Sequence, residues 1–184
     1  RVKAFRESIR QVTVNGKKTN WTVVKSAVGQ PVIEIVSPAQ TGYEIKIEWA
    51  GAEPARTKLR TYYAQKSRQH FDFGKAKILS VSDPQRAFSE HSHQKGKLSG
   101  RMSNHQGERT AFVELQQGNL RWWYPLSFQL GNAISGIPNA ENPTIIKIKN
   151  HTNQEQKVTY RLRNTHQQIS MKAEAVSSEL TIPA

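Results

Sequence analysis

Alternation of apolar and polar residues recurs along this 184-residue chain and limits it to β structure. The clearest example is YEIKIEW (43–49), in which Tyr43, Ile45, Ile47 and Trp49 fall on one face and charged residues on the other. Successive side chains of a strand point to opposite faces, so this pattern predicts a half-buried strand. Since no convincing helical pattern occurs, the sequence predicts an all-β fold of antiparallel β-sandwich modules with little or no helix.

Turn-forming residues divide the N-terminal part into separate strands. Asn15-Gly16 tolerates positive φ and is typical of a two-residue type I′ hairpin turn, and Ser37-Pro38 ends the apolar run PVIEIVS. Pairing about these turns predicts a four-stranded meander over residues 9–50.

The middle of the chain also alternates strand patterns with turns. A short strand ends at the turn-forming Asp83-Pro84, and residues 107–130 resume the alternation on both sides of Gly118. Residues 86–96 lack this pattern and are rich in polar residues, so we expect a loop there.

The tail from residue 139 contains four short strand patterns, the last at 179–183. Four short strands are too few to bury two faces, so the tail either packs on the preceding unit or is an incomplete sandwich. We expect one sandwich-like unit over 1–130, with a candidate internal boundary near residue 74, and a second over 131–184.

The chain is strongly basic, with 27 Lys and Arg against 14 Asp and Glu and a formal charge of +13. Such a charge attracts nucleic acids, acidic polysaccharides and acidic partners alike. The excess is spread along the chain, no run of four basic residues occurs, and no motif of a known nucleic-acid-binding module is present. This distribution disfavours nucleic acid as the partner, although a basic nucleic-acid-binding protein stays an alternative.

The absence of cysteine excludes disulfides, thiolate metal sites and cysteine nucleophiles. The longest apolar runs are only a few residues long, far below the roughly 20 that a membrane helix needs, and no signal-peptide pattern is present. We therefore expect no membrane contact, while the lack of cysteine leaves the cytosol and the bacterial periplasm equally open.

The segment NLRWWYPLSF (119–128) places three aromatic side chains next to one another. A hairpin turn at Gln117-Gly118 and one at Gly118-Asn119 both place the same residues on each face of the hairpin. One face then holds Ala111, Val113, Leu115, Leu120, Trp122 and Tyr124. The other face, called the Trp123 face, holds Phe112, Glu114, Arg121 and Trp123. We expect Trp122 in the core and the Trp123 face partly covered, because that face combines two rings with an ion pair.

Three roles are open for Trp123 and Phe112. In the first role they pack against an adjoining module, since exposed aromatic patches usually mark interfaces. In the second they are buried within the same sandwich. In the third they stack on sugar rings or bases. We therefore assign Trp123, Phe112, Arg121 and Glu114 as candidate carbohydrate-binding or interface residues.

Signals for catalysis and metal binding are weak. His91 and His93 share a face if their segment is extended, and His105 or Glu90 would complete a metal site, but the polar surroundings favour solvated loop histidines. No pair of carboxylates has the apolar settings that glycoside cleavage needs, and no nucleophile, phosphate-binding or zinc motif occurs. We predict no catalytic residue, metal or cofactor in this chain.

The segments VTVNGKKTNWTVVKSAVGQPVIEIVSPAQTGYEIKIEWAG, ILSVSDPQ and GERTAFVELQQGNLRWWYPLSF are the basis of a family resemblance. They resemble the β-sandwich regions of large secreted carbohydrate-active proteins of gut-type Gram-negative bacteria, among them glycoside hydrolases of the six-hairpin type. The tail NPTIIKIKNHTNQEQKVTYRLR is similar to the first strands of an immunoglobulin-like module appended to such enzymes.

This resemblance implies a periplasmic or secreted, non-catalytic chain that packs on a glycoside hydrolase domain and supports it. The catalytic carboxylates of that family lie in a helical barrel, and nothing here matches one. Residues 131–184 would form an immunoglobulin-like unit that stops two or three strands early, which implies a portion of a longer protein. The expected partner is an adjoining domain or chain of that protein, then polysaccharide. A stand-alone carbohydrate-binding module is the alternative function.

Overall fold

The computed structural model describes residues 1–138, 141, 145–152, 154–162, 165–172 and 180–181. In this part of the chain the regular elements are all strands, and none is a helix. The prediction of an all-β fold is therefore confirmed.

The first six strands form two three-stranded antiparallel sheets. They are β1 (Val2–Lys3), β2 (Ser8–Val14), β3 (Lys17–Lys18), β4 (Trp21–Val23), β5 (Val32–Ile35) and β6 (Ile45–Ala50). One sheet has the order β1-β5-β4 and the other β3-β2-β6. Asn15 and Gly16 adopt positive φ between β2 and β3, so the predicted hairpin turn is confirmed.

The predicted four-stranded meander over residues 9–50 is wrong. β3 pairs with only two residues of β2, the chain then continues into β4 of the other sheet, and β6 becomes the main neighbour of β2. This division places Val12 and Ile33, one from each sheet, in the same core at 1% and 0% exposure. Alternation predicts which side chains share a face, but it does not predict which strands become neighbours.

The central strands form a four-stranded and a three-stranded sheet. They are β7 (Tyr62–Ala64), β8 (Arg68–Asp72), β9 (Lys77–Ser82), β10 (Phe88–Gln94), β11 (Lys97–Met102), β12 (Gly107–Gln117) and β13 (Leu120–Gly131). The larger sheet has the order β7-β13-β12-β9, in which β7 is parallel to β13 and the other pairs are antiparallel. The smaller sheet has the order β10-β11-β8.

Strand β10 lies where the sequence predicted a loop over 86–96, so that prediction is wrong. The Asp83 carboxylate accepts hydrogen bonds from the N–H groups of Ala87 (2.7 Å) and Phe88 (2.9 Å), which fixes the turn before β10. β10 then pairs with β11, although six of its seven residues are exposed. The pattern missed this strand because backbone pairing holds it in place and its exposed side chains show no apolar alternation.

One hydrophobic core joins the N-terminal and central strands, with buried members from Ala4 to Leu130. Tyr63 of β7 makes edge-to-face contacts with Phe71 of β8 and Phe128 of β13, at ring-centroid distances of 5.9 and 5.0 Å. The contact with Phe71 connects the larger central sheet to the smaller one, whereas the contact with Phe128 lies within the larger sheet.

Within the described residues, the C-terminal strands pair with one another and not with the preceding sheets. They are β14 (Ile134–Pro138), β15 (Ile145–Asn150), β16 (Gln156–Leu162), β17 (Thr165–Met171) and β18 (Leu180–Thr181), arranged as β14-β15-β18 and β16-β17. The ring of His151 lies 4.1 Å from that of Tyr62, which joins this part to β7. Of the predicted strand at 179–183, only 180–181 lie within the described residues.

Candidate functional site

The candidate site is centred on the hairpin of β12 and β13. Leu115 lies opposite Trp122 and Glu114 opposite Trp123, which is the register of the second predicted turn, with Gly118 at a φ of +56°. Directly opposed residues of an antiparallel pair share a face, so the two predicted faces of this hairpin are confirmed.

The core face of the hairpin is closed to solvent. Trp122 is 0% exposed, and Val113 and Leu115 beside it are also at 0%. The prediction that Trp122 belongs to the core is therefore confirmed.

The Trp123 face contains an ion pair whose acidic partner is buried and whose Arg121 side chain is 39% exposed. Glu114 is 6% exposed, and its Oε1 accepts a hydrogen bond from Arg121 Nε at 2.7 Å, with Arg121 Nη2 at 2.6 Å. Ser80 Oγ of β9 donates to Glu114 Oε2 at 2.8 Å. A buried carboxylate is tolerated when a cation and hydrogen-bond donors satisfy it. With both oxygens occupied in this way, Glu114 serves to hold β9, β12 and β13 together.

The backbone of Trp123 is bonded to an N-terminal segment. Trp123 N–H donates to Ala27 O at 2.8 Å, and Gly29 N–H donates to Trp123 O at 2.8 Å. The resulting parallel bridge places Val28, which is 59% exposed, beside Trp123. Sequence reasoning missed this contact because residues 27–29 carry no strand pattern.

The rings of Trp123 and Phe112 are both half-buried. The structure therefore brings all four predicted site residues to one face, where Glu114 is buried and Arg121 and the two rings are partly accessible. The backbone of Trp123 is held on both sides, so binding at this face would require little ordering of that backbone.

A second surface is more exposed than the Trp123 face. Among the described residues the exposed large hydrophobic side chains are Phe5, Val28, Val36, Tyr43 and Ile45, all within the first 45 positions. Val36, Tyr43 and Ile45 flank the connection between β5 and β6, and we call these three residues the N-terminal apolar surface. They are 76%, 50% and 46% exposed.

This surface corrects the prediction for YEIKIEW. Ile47 and Trp49 pack against the core as expected, but Tyr43 and Ile45 on the same predicted face are exposed. β6 is the edge strand of a three-stranded sheet, and Tyr43 precedes the strand. The apolar face of this segment is therefore covered at Ile47 and Trp49 but not at Tyr43 and Ile45. The alternation alone does not indicate where the covering ends.

The histidines of β10 do not form a metal site. His91 and His93 share a face, as their spacing predicts, but both are exposed on an edge strand. In the part of the chain that the structure describes, no group of three His, Cys, Asp or Glu side chains is arranged to hold a metal ion.

Comparison with known proteins gives no relative. The sequence matches no family model and no curated protein significantly, and the fold has no significant match among solved structures. Within the described residues, no helix has the length and apolarity needed to cross a membrane.

Proposed function

We propose that this chain is a non-catalytic β-sandwich portion of a secreted or periplasmic carbohydrate-active protein, in which it packs on a glycoside hydrolase domain and supports it. The observation that carries the proposal is the N-terminal apolar surface. The connection between β5 and β6 is flanked by three exposed apolar side chains: Val36 is 76%, Tyr43 50% and Ile45 46% exposed. Exposed apolar area on a domain marks an interface when it forms a patch, and these three side chains are the basis on which an interface is proposed.

The occupant of this surface is an adjoining domain of the same longer polypeptide. The chain carries a formal charge of +13, and like charge opposes the approach of a second copy. An adjoining domain is held close by the covalent connection, so a modest apolar area is sufficient for docking. In this arrangement residues 131–184 form the immunoglobulin-like unit implied by the family resemblance.

Hydrogen exchange tests this interface. In the longer polypeptide, the backbone amides of residues 43–49 exchange more slowly than in the isolated 184-residue chain, because the adjoining domain covers them. Equal exchange in the two forms would contradict the proposal.

A matched pair of variants provides a second readout. Replacing Val36 and Ile45 together by Ser leaves the stability of the isolated chain nearly unchanged, but it destabilises the longer polypeptide by about 1–2 kcal/mol, since two exposed side chains lose their contact area. Lys46→Ser is the control, because Lys46 follows Ile45 on the opposite face of the strand and its side chain is 72% exposed. Equal effects of the double variant and the control would count against packing at this surface.

A further inference from the structure

A cleft of about 320 Å³ lies between the start of the chain and the segment 53–56. Phe5 and Arg6 line one side, Glu53 and Arg56 the other, and Gln30 and the buried Trp122 complete it. None of its polar side chains belongs to the Trp123 face. The cleft therefore has its own set of potential ligand-binding groups.

The walls of this cleft are fixed by Gln117, which is 6% exposed at the end of β12. Its Nε2 donates to Glu7 Oε2 at 2.8 Å and to Glu53 O at 3.0 Å, while Ala55 N–H donates to its Oε1 at 2.8 Å. One buried amide thus holds the segment 53–55 near Glu7, which follows Phe5 and Arg6 in the connection between β1 and β2. A ligand that enters the cleft has little protein structure left to order.

The charges at the cleft leave one cation unpaired. Arg6 Nη1 lies 3.8 Å from Glu53 Oε1, and both side chains are well exposed, so this pair is weak. Arg56 has no ion-pair partner among the described residues. A guanidinium binds a carboxylate through two parallel hydrogen bonds, which makes Arg56 suitable for a ligand carboxylate.

Phe5 supplies an apolar surface beside these charges. Its ring is 66% exposed and is held edge-on against Trp49 at a centroid distance of 5.9 Å. The apolar C–H face of a sugar ring packs on an aromatic ring, and the carboxylate of Glu53 can accept hydrogen bonds from sugar hydroxyls.

We propose that this cleft binds a uronic acid, that is, a sugar residue that carries a carboxylate. Arg56 binds the ligand carboxylate, Phe5 packs against the sugar ring, and Glu53 with Arg6 binds hydroxyl groups. The proposal goes beyond the packing function, since it uses none of the residues of the N-terminal apolar surface.

The test is titration of the 184-residue chain, followed by NMR, with methyl galacturonide and with methyl galactoside, which lacks the carboxylate. Both titrations are run at about 0.15 M salt to screen long-range attraction. The galacturonide produces saturable shifts at the cleft, and the galactoside binds about tenfold or more weakly, because it cannot form the charged hydrogen bonds. Equal binding of the two sugars, or no saturable binding, overturns the proposal.

Two charge variants separate specific binding from the attraction of a basic protein. Arg56→Ala weakens galacturonide binding by about tenfold or more, whereas Lys58→Ala, which removes the same charge two residues away and outside the cleft, changes it by less than about twofold. Equal losses in the two variants would show general charge attraction only and overturn the proposal.

Phe5→Ala examines the ring contact independently of charge. It weakens the binding of both sugars by about threefold or more, as expected for the loss of an aromatic contact. Val36→Ala is the control, since this side chain is 76% exposed and outside the cleft. An unchanged affinity in Phe5→Ala overturns the assigned sugar orientation. Because the hydrogen-exchange comparison contains no sugar and the titrations use the isolated chain, failure of either proposal is recognised separately.

Discussion

The strands β6 and β13 have similar alternating sequences but very different surroundings. In β13 the apolar positions Trp122, Leu126 and Leu130 are all 0% exposed, whereas Ile45 of β6 is 46% exposed. β13 has β7 and β12 along its edges and Phe88 of the smaller central sheet packed on its Phe128, while among the described strands β6 is an edge strand that pairs with β2 alone. Apolar alternation therefore specifies a face that can be buried, and the neighbouring layers determine how much of that face is buried.

The largest expected difference is between matched truncations in these two strands. Leu126→Ala removes a fully buried side chain and lowers the free energy of unfolding by about 2–5 kcal/mol. Ile45→Ala removes a side chain of the same size from an exposed position and changes it by less than about 0.5–1 kcal/mol. Urea unfolding of the isolated chain measures both. A loss of similar size in Ile45→Ala would mean that β6 is covered in solution, which would remove the basis for the N-terminal apolar surface.

A smaller difference is expected between the turn glycines of the two regions. Gly16 and Gly118 have φ of +76° and +56°, so alanine is strained at both by roughly 1–2 kcal/mol. A Cβ at Gly16 meets nothing within 4 Å, whereas a Cβ at Gly118 would lie 2.2 Å from the backbone oxygen of Glu7.

Gly118→Ala must therefore displace Glu7 and the start of β2 and lowers the melting temperature more than Gly16→Ala. Thermal unfolding followed by circular dichroism compares the two variants. Equal losses would indicate that Glu7 and the start of β2 do not pack on the turn between β12 and β13.

The smallest expected effect concerns Glu7, which is hydrogen-bonded to Ala52 N–H and to Gln117 at the end of β12. The stability that these bonds add depends on pH. A backbone hydrogen bond from Ala52, followed by the side-chain hydrogen bond from Gln117, lowers the pKa of Glu7 below its usual value. Since the pKa is lower in the folded than in the unfolded chain, this stabilisation is fully present above the unfolded value and is lost as the pH falls through the folded value.

Glu7→Gln is the matched variant for this effect, because it retains an acceptor for Ala52 but cannot titrate. The melting temperature of the unmodified chain should exceed that of the variant near neutral pH, and the difference should narrow as the pH falls below the usual glutamate pKa. A difference that is constant with pH would contradict a role for the ionised Glu7.

The candidate site was partly predictable. The pattern around NLRWWYPLSF correctly placed Trp122 in the core and brought Phe112, Glu114, Arg121 and Trp123 to one face, because the facing of a hairpin depends only on parity. The contact of Trp123 with Ala27 and Gly29 was not predictable, since it joins segments about 95 positions apart and uses backbone atoms, which are the same in every residue.

The sequence by itself determined the β class, the turn at Asn15-Gly16 and the two faces of the long hairpin, because these depend on local sterics and on the two-residue period of a strand. Only the tertiary structure decided that the first four long strand patterns divide between two sheets, that residues 88–94 form an edge strand, and that Gln117 closes a cleft beside Arg56. The physical reason is that sheet order and edge position depend on contacts between distant segments, whose stabilisation comes from shared burial and backbone pairing.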